Sequence, residues 1–126
     1  MAAVNDVNAC GSVSQDLQTF QQAATSRQQL LGQLNSLAAA SYLPTQMIRD
    51  LSAAWQASIE ADQDFAAWAT DENSGSGCTP DDSGNANYQA ANEPDNDATT
   101  DKKAFVSSWN PIATQYGLAT YEWNQL

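Results

Sequence analysis

Few side chains in this chain are equipped for chemistry, and their spacing limits what that chemistry is. There is no histidine among the 126 residues. That removes the commonest general base and the commonest transition-metal ligand together. The only cysteines are Cys10 and Cys78. Cys10 precedes one long helical pattern and Cys78 follows a second of matching length. If those helices run antiparallel, both sulfurs arrive at one end of the molecule, so a Cys10–Cys78 disulfide and an oxidising compartment are expected. Closing a loop of ~67 residues is worth up to ~4 kcal/mol in the chain-entropy description. Oxidised cysteines supply neither a thiolate nucleophile nor a thiolate metal site.

The second constellation is charged. At 100° per residue, Asp62 falls at the centre of an apolar helical face, between Leu51, Trp55 and Ala69, with Ser58 beside it. Lys102 falls on the apolar side of a later helix, one turn before Phe105, and Arg27 flanks the stripe of the first. An uncompensated buried carboxylate is too costly to keep. The expectation is a partly buried Asp62–Lys102 pair within reach of Arg27, acting as a register-fixing salt bridge, with an inter-helical ligand pocket as the alternative. Such pairing would depress the folded pKa of Asp62 and make its contribution acid-labile. Asp62→Ala would cost on the order of 3 kcal/mol.

Other acidic residues offer less. Asp62 and Asp64, at i and i+2 of a helix, point to different sides and do not form a hydrolytic carboxylate pair. Asp95, Asp97 and Asp101 resemble the start of a calcium loop, but the position-6 glycine and the terminal bidentate Glu are missing. They stand as weak Ca²⁺ candidates, and Asp81–Asn85 fails in the same way. No enzyme activity, cofactor or resident metal is expected.

These residues need elements to position them. The first helix is expected from Ser12 to Ala40, with Val13, Leu17, Phe20, Ala24, Leu31, Leu34 and Ala38 as its stripe and glutamines outside. Ser41–Pro44 is the turn, with Pro44 suited to the first position of the next helix. The second helix runs to about Thr70, each of the two being ~40 Å long at 1.5 Å per residue. Residues 1–9 read as a flexible N-terminus and 71–96 as a long acidic loop, with a short helical turn near Tyr88, Ala90 and Ala91. A third helix begins near Asn96 or Asp97 and carries Ala98, Phe105, Trp109, Ile112 and Tyr116. Pro111 should kink it near Ser107 and Ser108, and Gly117–Leu118 reads as a Schellman-type stop. The aromatics of the 119–126 tail lead us to expect that part of it packs. The fold class is therefore all-α: a single three-helix up-down-up domain, made of a long hairpin plus a Pro-kinked third helix, with an acidic loop.

The charge is lopsided: 4 Lys and Arg against 15 Asp and Glu, a net charge of -11. Such a surface disfavours nucleic acid and anionic membranes. No apolar run reaches the ~20 residues of a membrane span. Met1–Asp6 lacks the regions of a signal peptide. Delivery to an oxidising compartment then leads us to expect a signal peptide or membrane anchor outside residues 1–126.

Ala54–Ala69, Gly77–Cys78 and the stretch Lys102–Leu118, with its Trp109-Asn110-Pro111 and Tyr116-Gly117-Leu118 motifs, resemble a helical extracytoplasmic domain of actinobacterial secreted or membrane-anchored proteins. The likeness covers roughly residues 10–118, and no activity is assigned to that domain. It implies an all-α fold outside the cytoplasm. The expected function is a non-catalytic interaction or sensor module with a protein or cell-envelope partner. A small-ligand or Ca²⁺-binding domain, using the polar cluster or the acidic loop, is the alternative.

Overall fold

The computed structural model describes residues 2–38 and 43–126. Four α-helices follow one another, α1 (Ala2–Asn8), α2 (Val13–Ala38), α3 (Thr45–Glu72) and α4 (Ala86–Tyr116), before a 3-10 turn over Trp123–Gln125. No strand occurs among the described residues. Ala39 and Ala40 of the expected first helix, and Ser41 and Tyr42 of the expected turn, lie outside them.

Three expectations are corrected. The N-terminus is helical rather than flexible. Ala3, Val4 and Val7 make a short apolar stripe, and Val7 is fully buried against Val13, Phe20, Phe65 and Trp68. The helix ends in a Schellman arrangement: Gly11 N–H donates to the Asp6 carbonyl (2.8 Å) and Cys10 N–H to that of Val7 (2.9 Å). Cys10 takes the left-handed conformation there, with φ 54°. A Cβ at Gly11 would displace the Asp6 carboxylate, which accepts from Ser12 N–H at 2.8 Å.

The acidic loop is shorter than expected, spanning only residues 73–85. Asn85 caps α4, its side-chain oxygen accepting from the N–H groups of Asn87 (2.9 Å) and Tyr88 (3.4 Å). Pro94, which reads as a helix breaker, lies inside α4 and is buried on the same face as Ala91 and Ala98. Its burial, the cap upstream and the long run downstream outweigh an interior proline's cost of about 3 kcal/mol. Glu93 and Asp95 thus sit on a helix.

The boundaries of α3 also shift. Pro44 is its N-cap, with extended ψ 130°, so Thr45 is the first helical residue, and the helix runs on to Glu72. The C-terminal stop of α4 matches its motif. Gly117 is left-handed (φ 65°), Leu118 N–H donates to Ala113 O at 2.8 Å, and Gly117 N–H donates to Thr114 O at 3.4 Å.

The long α3 packs against α2 and against α4, while α2 and α4 make no close backbone approach to each other among the described residues. The core has two parts. At the end holding the cysteines, Phe20, Phe65, Trp68, Ala69 and Ala91 meet under α1. At the opposite, distal end, Leu34, Met47, Leu51 and Phe105 meet, joined by Trp55, Trp109 and Ile112. The start of α2 therefore lies beside the end of α3 and the start of α4. Cys10 and Cys78 are at disulfide distance, with Sγ atoms 2.09 Å and Cα atoms 5.7 Å apart.

Candidate functional site

The charged cluster forms where the sequence places it, with a different pairing. Ser58 and Asp62, one turn apart on α3, face inward and are buried. Arg27 of α2 donates from Nη1 to Asp62 Oδ2. Lys102 of α4 is buried beside them, and no direct ion pair to it forms among the described residues. The expected Asp62–Lys102 contact is thus replaced by Arg27–Asp62. The Arg27 guanidinium satisfies Asp62 from the α2 side, while Lys102 acts through the fields of Asp62 and Asp95.

Burial governs both titrations. Desolvation raises the Asp62 pKa; Arg27 and then Lys102 oppose the rise, and Asp95 adds to it. Desolvation, followed by repulsion from Arg27, lowers the Lys102 pKa against the pull of Asp62 and Asp95. The depressed carboxylate expected for Asp62 is therefore overturned: even an arginine partner does not repay the loss of water.

The space between these groups is too small for a ligand. Arg27, Ser58, Ala61, Asp62, Asp95 and Lys102 enclose about 20 Å³. That is room for about one water, whereas ligand pockets start near 300 Å³. Ser58 Oγ is buried here without a protein partner. The arrangement ties three helices together.

The calcium candidates do not converge. Asp95 turns into the charged cluster, while Asp97 and Asp101 line the outer seam between α3 and α4 with Glu60. Burial, followed by repulsion from Asp50 and Asp97, raises the Asp101 pKa. Among the described residues, no three His, Cys, Asp or Glu side chains come together as a metal site. The longer α4 brings Asp95 onto the same helix as Asp97 and Asp101, and there it turns to a different side from the other two.

Sequence reasoning missed an apolar groove at the distal end. It measures about 300 Å³ and is lined by Leu34, Leu37, Leu43, Met47, Ile48, Leu51, Trp55, Phe105, Trp109, Tyr121 and Leu126. It lies over α3 between α2 and α4, which make no close backbone approach among the described residues. The tail forms part of its wall. Trp109 Nε1 donates to Ala119 O (2.9 Å), Asn110 exchanges two hydrogen bonds with the Tyr121 backbone (2.9 and 3.0 Å), and Lys103 Nζ lies 5.0 Å from the centre of the Trp123 ring. The indole N–H of Trp55 is buried without an acceptor. In sequence these residues look like an ordinary core stripe; the surplus of aromatics in the tail was the available signal.

Also missed was a carboxyl pair at the other end. Asp16 is buried near Asp6, which accepts from Ser12 N–H at 2.8 Å. Desolvation, then a hydrogen bond and repulsion from Asp6, raises the Asp16 pKa.

No protein-family model matches the chain, no curated protein matches it in sequence, and no solved structure matches it in fold.

Proposed function

We propose that this chain is a non-catalytic interaction module of a secreted or membrane-anchored bacterial protein, of the actinobacterial kind its sequence resembles. In this reading the three long helices form the up-down-up scaffold, and the distal groove is the contact surface. One observation carries it: among the described residues the groove is uncovered, and every exposed large hydrophobic lies in the same half of the molecule. Contiguous apolar surface of that kind marks an interaction site on a folded protein. The cysteine pair at disulfide distance is compatible with an oxidising, extracytoplasmic setting. No helix among the described residues is long and apolar enough to cross a membrane.

The test is a photo-crosslinking residue placed at Leu37, on the groove rim, or at Gln22, on the exposed glutamine face of α2, in protein exported by cells. The reading predicts discrete adducts from Leu37 and none from Gln22. Adducts from Gln22 alone, or from neither position, would overturn it.

A further inference from the structure

The surface is segregated twice over. Leu30, Leu37, Tyr116, Leu118, Tyr121 and Trp123 are between 37% and 68% exposed, and all lie in the distal half. Charge follows the opposite distribution. From Glu60 to Asp101 the sequence holds 11 acidic residues and no basic one, and Asp6 and Asp16 add to that half. Residues 30–59 and 103–126, the distal half, contain only Asp50 and Glu122 against Arg49 and Lys103. A chain of net charge -11 thus ends in an apolar, charge-balanced surface.

That pattern selects among occupants. A basic peptide would be drawn to the acidic half, away from the groove. An anionic lipid surface is repelled by the molecule as a whole. A second copy, approaching end to end, matches an apolar balanced surface with its own like. It also keeps the two acidic halves tens of ångströms apart, well beyond the screening length of about 8 Å at physiological salt.

The patch also carries both exposed side chains and a groove. Tyr116 (68% exposed) and Leu118 (52%) project from the end of α4 outside the groove lining, while the groove beside them is concave. Knob and hole on a single patch are what a two-fold interface requires, since each copy offers both. A stable dimer buries about 800 Å² per partner. Among the described residues, the exposed large hydrophobics that could supply it all lie in this half.

We infer that the occupant of the groove is a second copy of this chain: two molecules meet through their distal halves, Tyr116 and Leu118 of each seated at the groove of the other. The inference rests on reading the groove as an interaction surface.

Sedimentation equilibrium of the disulfide-bonded protein, from micromolar to near-millimolar concentration, tests it. The expected result is a reversible monomer–dimer equilibrium that tightens when salt screens the net charge. Tyr116→Asp and Leu118→Asp should each weaken the dimer about tenfold or more, as loss of an interface anchor does. Both sites are exposed, so helical circular dichroism should not change. Small-angle scattering should give an elongated dimer. Three results would overturn the inference: a monomer at every concentration, a dimer indifferent to both variants, or a compact side-by-side dimer. A monomer that still gives Leu37 adducts with another protein, or that retains an apolar small molecule in native mass spectrometry, sinks the second copy while leaving the interaction surface standing. A monomer with no adducts sinks both.

Discussion

At the cysteine end a short helix and a pinned loop pack against the long helices, whereas at the distal end the described residues leave an apolar groove over α3. Near the cysteines, α1 covers the core, and Trp68 meets Tyr88 edge-on with ring centres 4.9 Å apart. Loop 73–85 is pinned by Glu72, which accepts from Thr79 N–H at 2.6 Å, and by Asp71, which accepts from the side chains of Asn85 (3.2 Å) and Asn87 (2.8 Å). At the distal end, among the described residues, the C-terminal tail folds back along one wall of the groove. The contrast teaches a division of labour: one end holds the fold, and the other offers surface. Proteins commonly draw their binding regions from less constrained parts of the structure.

The largest effect that would break this comparison is the loss of a core aromatic. Trp68→Ala should cost about 3–5 kcal/mol, since Trp68 is almost fully buried. Trp123→Ala, at the open end, should cost about 0.5 kcal/mol, as surface changes do. Urea denaturation of the two variants measures both, and equal losses would refute the asymmetry. Replacing both cysteines with alanine should cost about 2–4 kcal/mol. Hydrogen exchange in that variant should speed up first in α1 and residues 73–85, with little change in the distal half.

The charged cluster sharpens the comparison, because it lies between the two ends. Asp62 has a 3% exposed side chain, whereas Arg27 keeps 21% and can be rehydrated when left alone. Arg27→Met strands the buried carboxylate and should cost on the order of 3 kcal/mol at neutral pH. Asp62→Asn should cost clearly less. The pH dependence follows from the raised pKa. The unfolded chain ionises Asp62 more readily than the folded one does, so the ionised form weighs against folding above the folded pKa. That penalty is relieved as pH falls through the raised folded value toward about 4. Denaturation of the parent and of Asp62→Asn across this window should show the parent gaining on the variant as pH drops. The reverse trend would restore the depressed carboxylate first expected from the sequence. The smallest effect is at the cap: Asn85→Ala should cost about 1 kcal/mol and loosen the first turns of α4 in hydrogen exchange.

Legibility in the sequence divides along the same line. The long apolar stripes, the cysteine pairing and the Gly117 stop were readable, because periodicity and cap chemistry are local signals. Asp62, Ser58, Lys102 and Arg27 were readable as a group, since a charge on an apolar stripe must find company. Which cation would touch Asp62 was not readable, because that depends on how far α2 and α4 stand from α3. The start of α4 was hidden by Pro94, whose cost is outweighed only by tertiary burial. Helix α1 was too short for periodicity to speak loudly. The groove was invisible for a deeper reason: Leu34, Met47, Phe105 and Trp109 have the same pattern whether a neighbouring helix covers them or leaves them open.

The most direct test of the two-ended account is native-state hydrogen exchange, at concentrations low enough to keep the chain monomeric. Amides around Phe65, Trp68 and Ala91 should exchange only through global unfolding, while those around Leu34, Met47 and Ile112 should open at measurably lower free energy. Equal protection at both ends, or greater protection at the distal end, would contradict it.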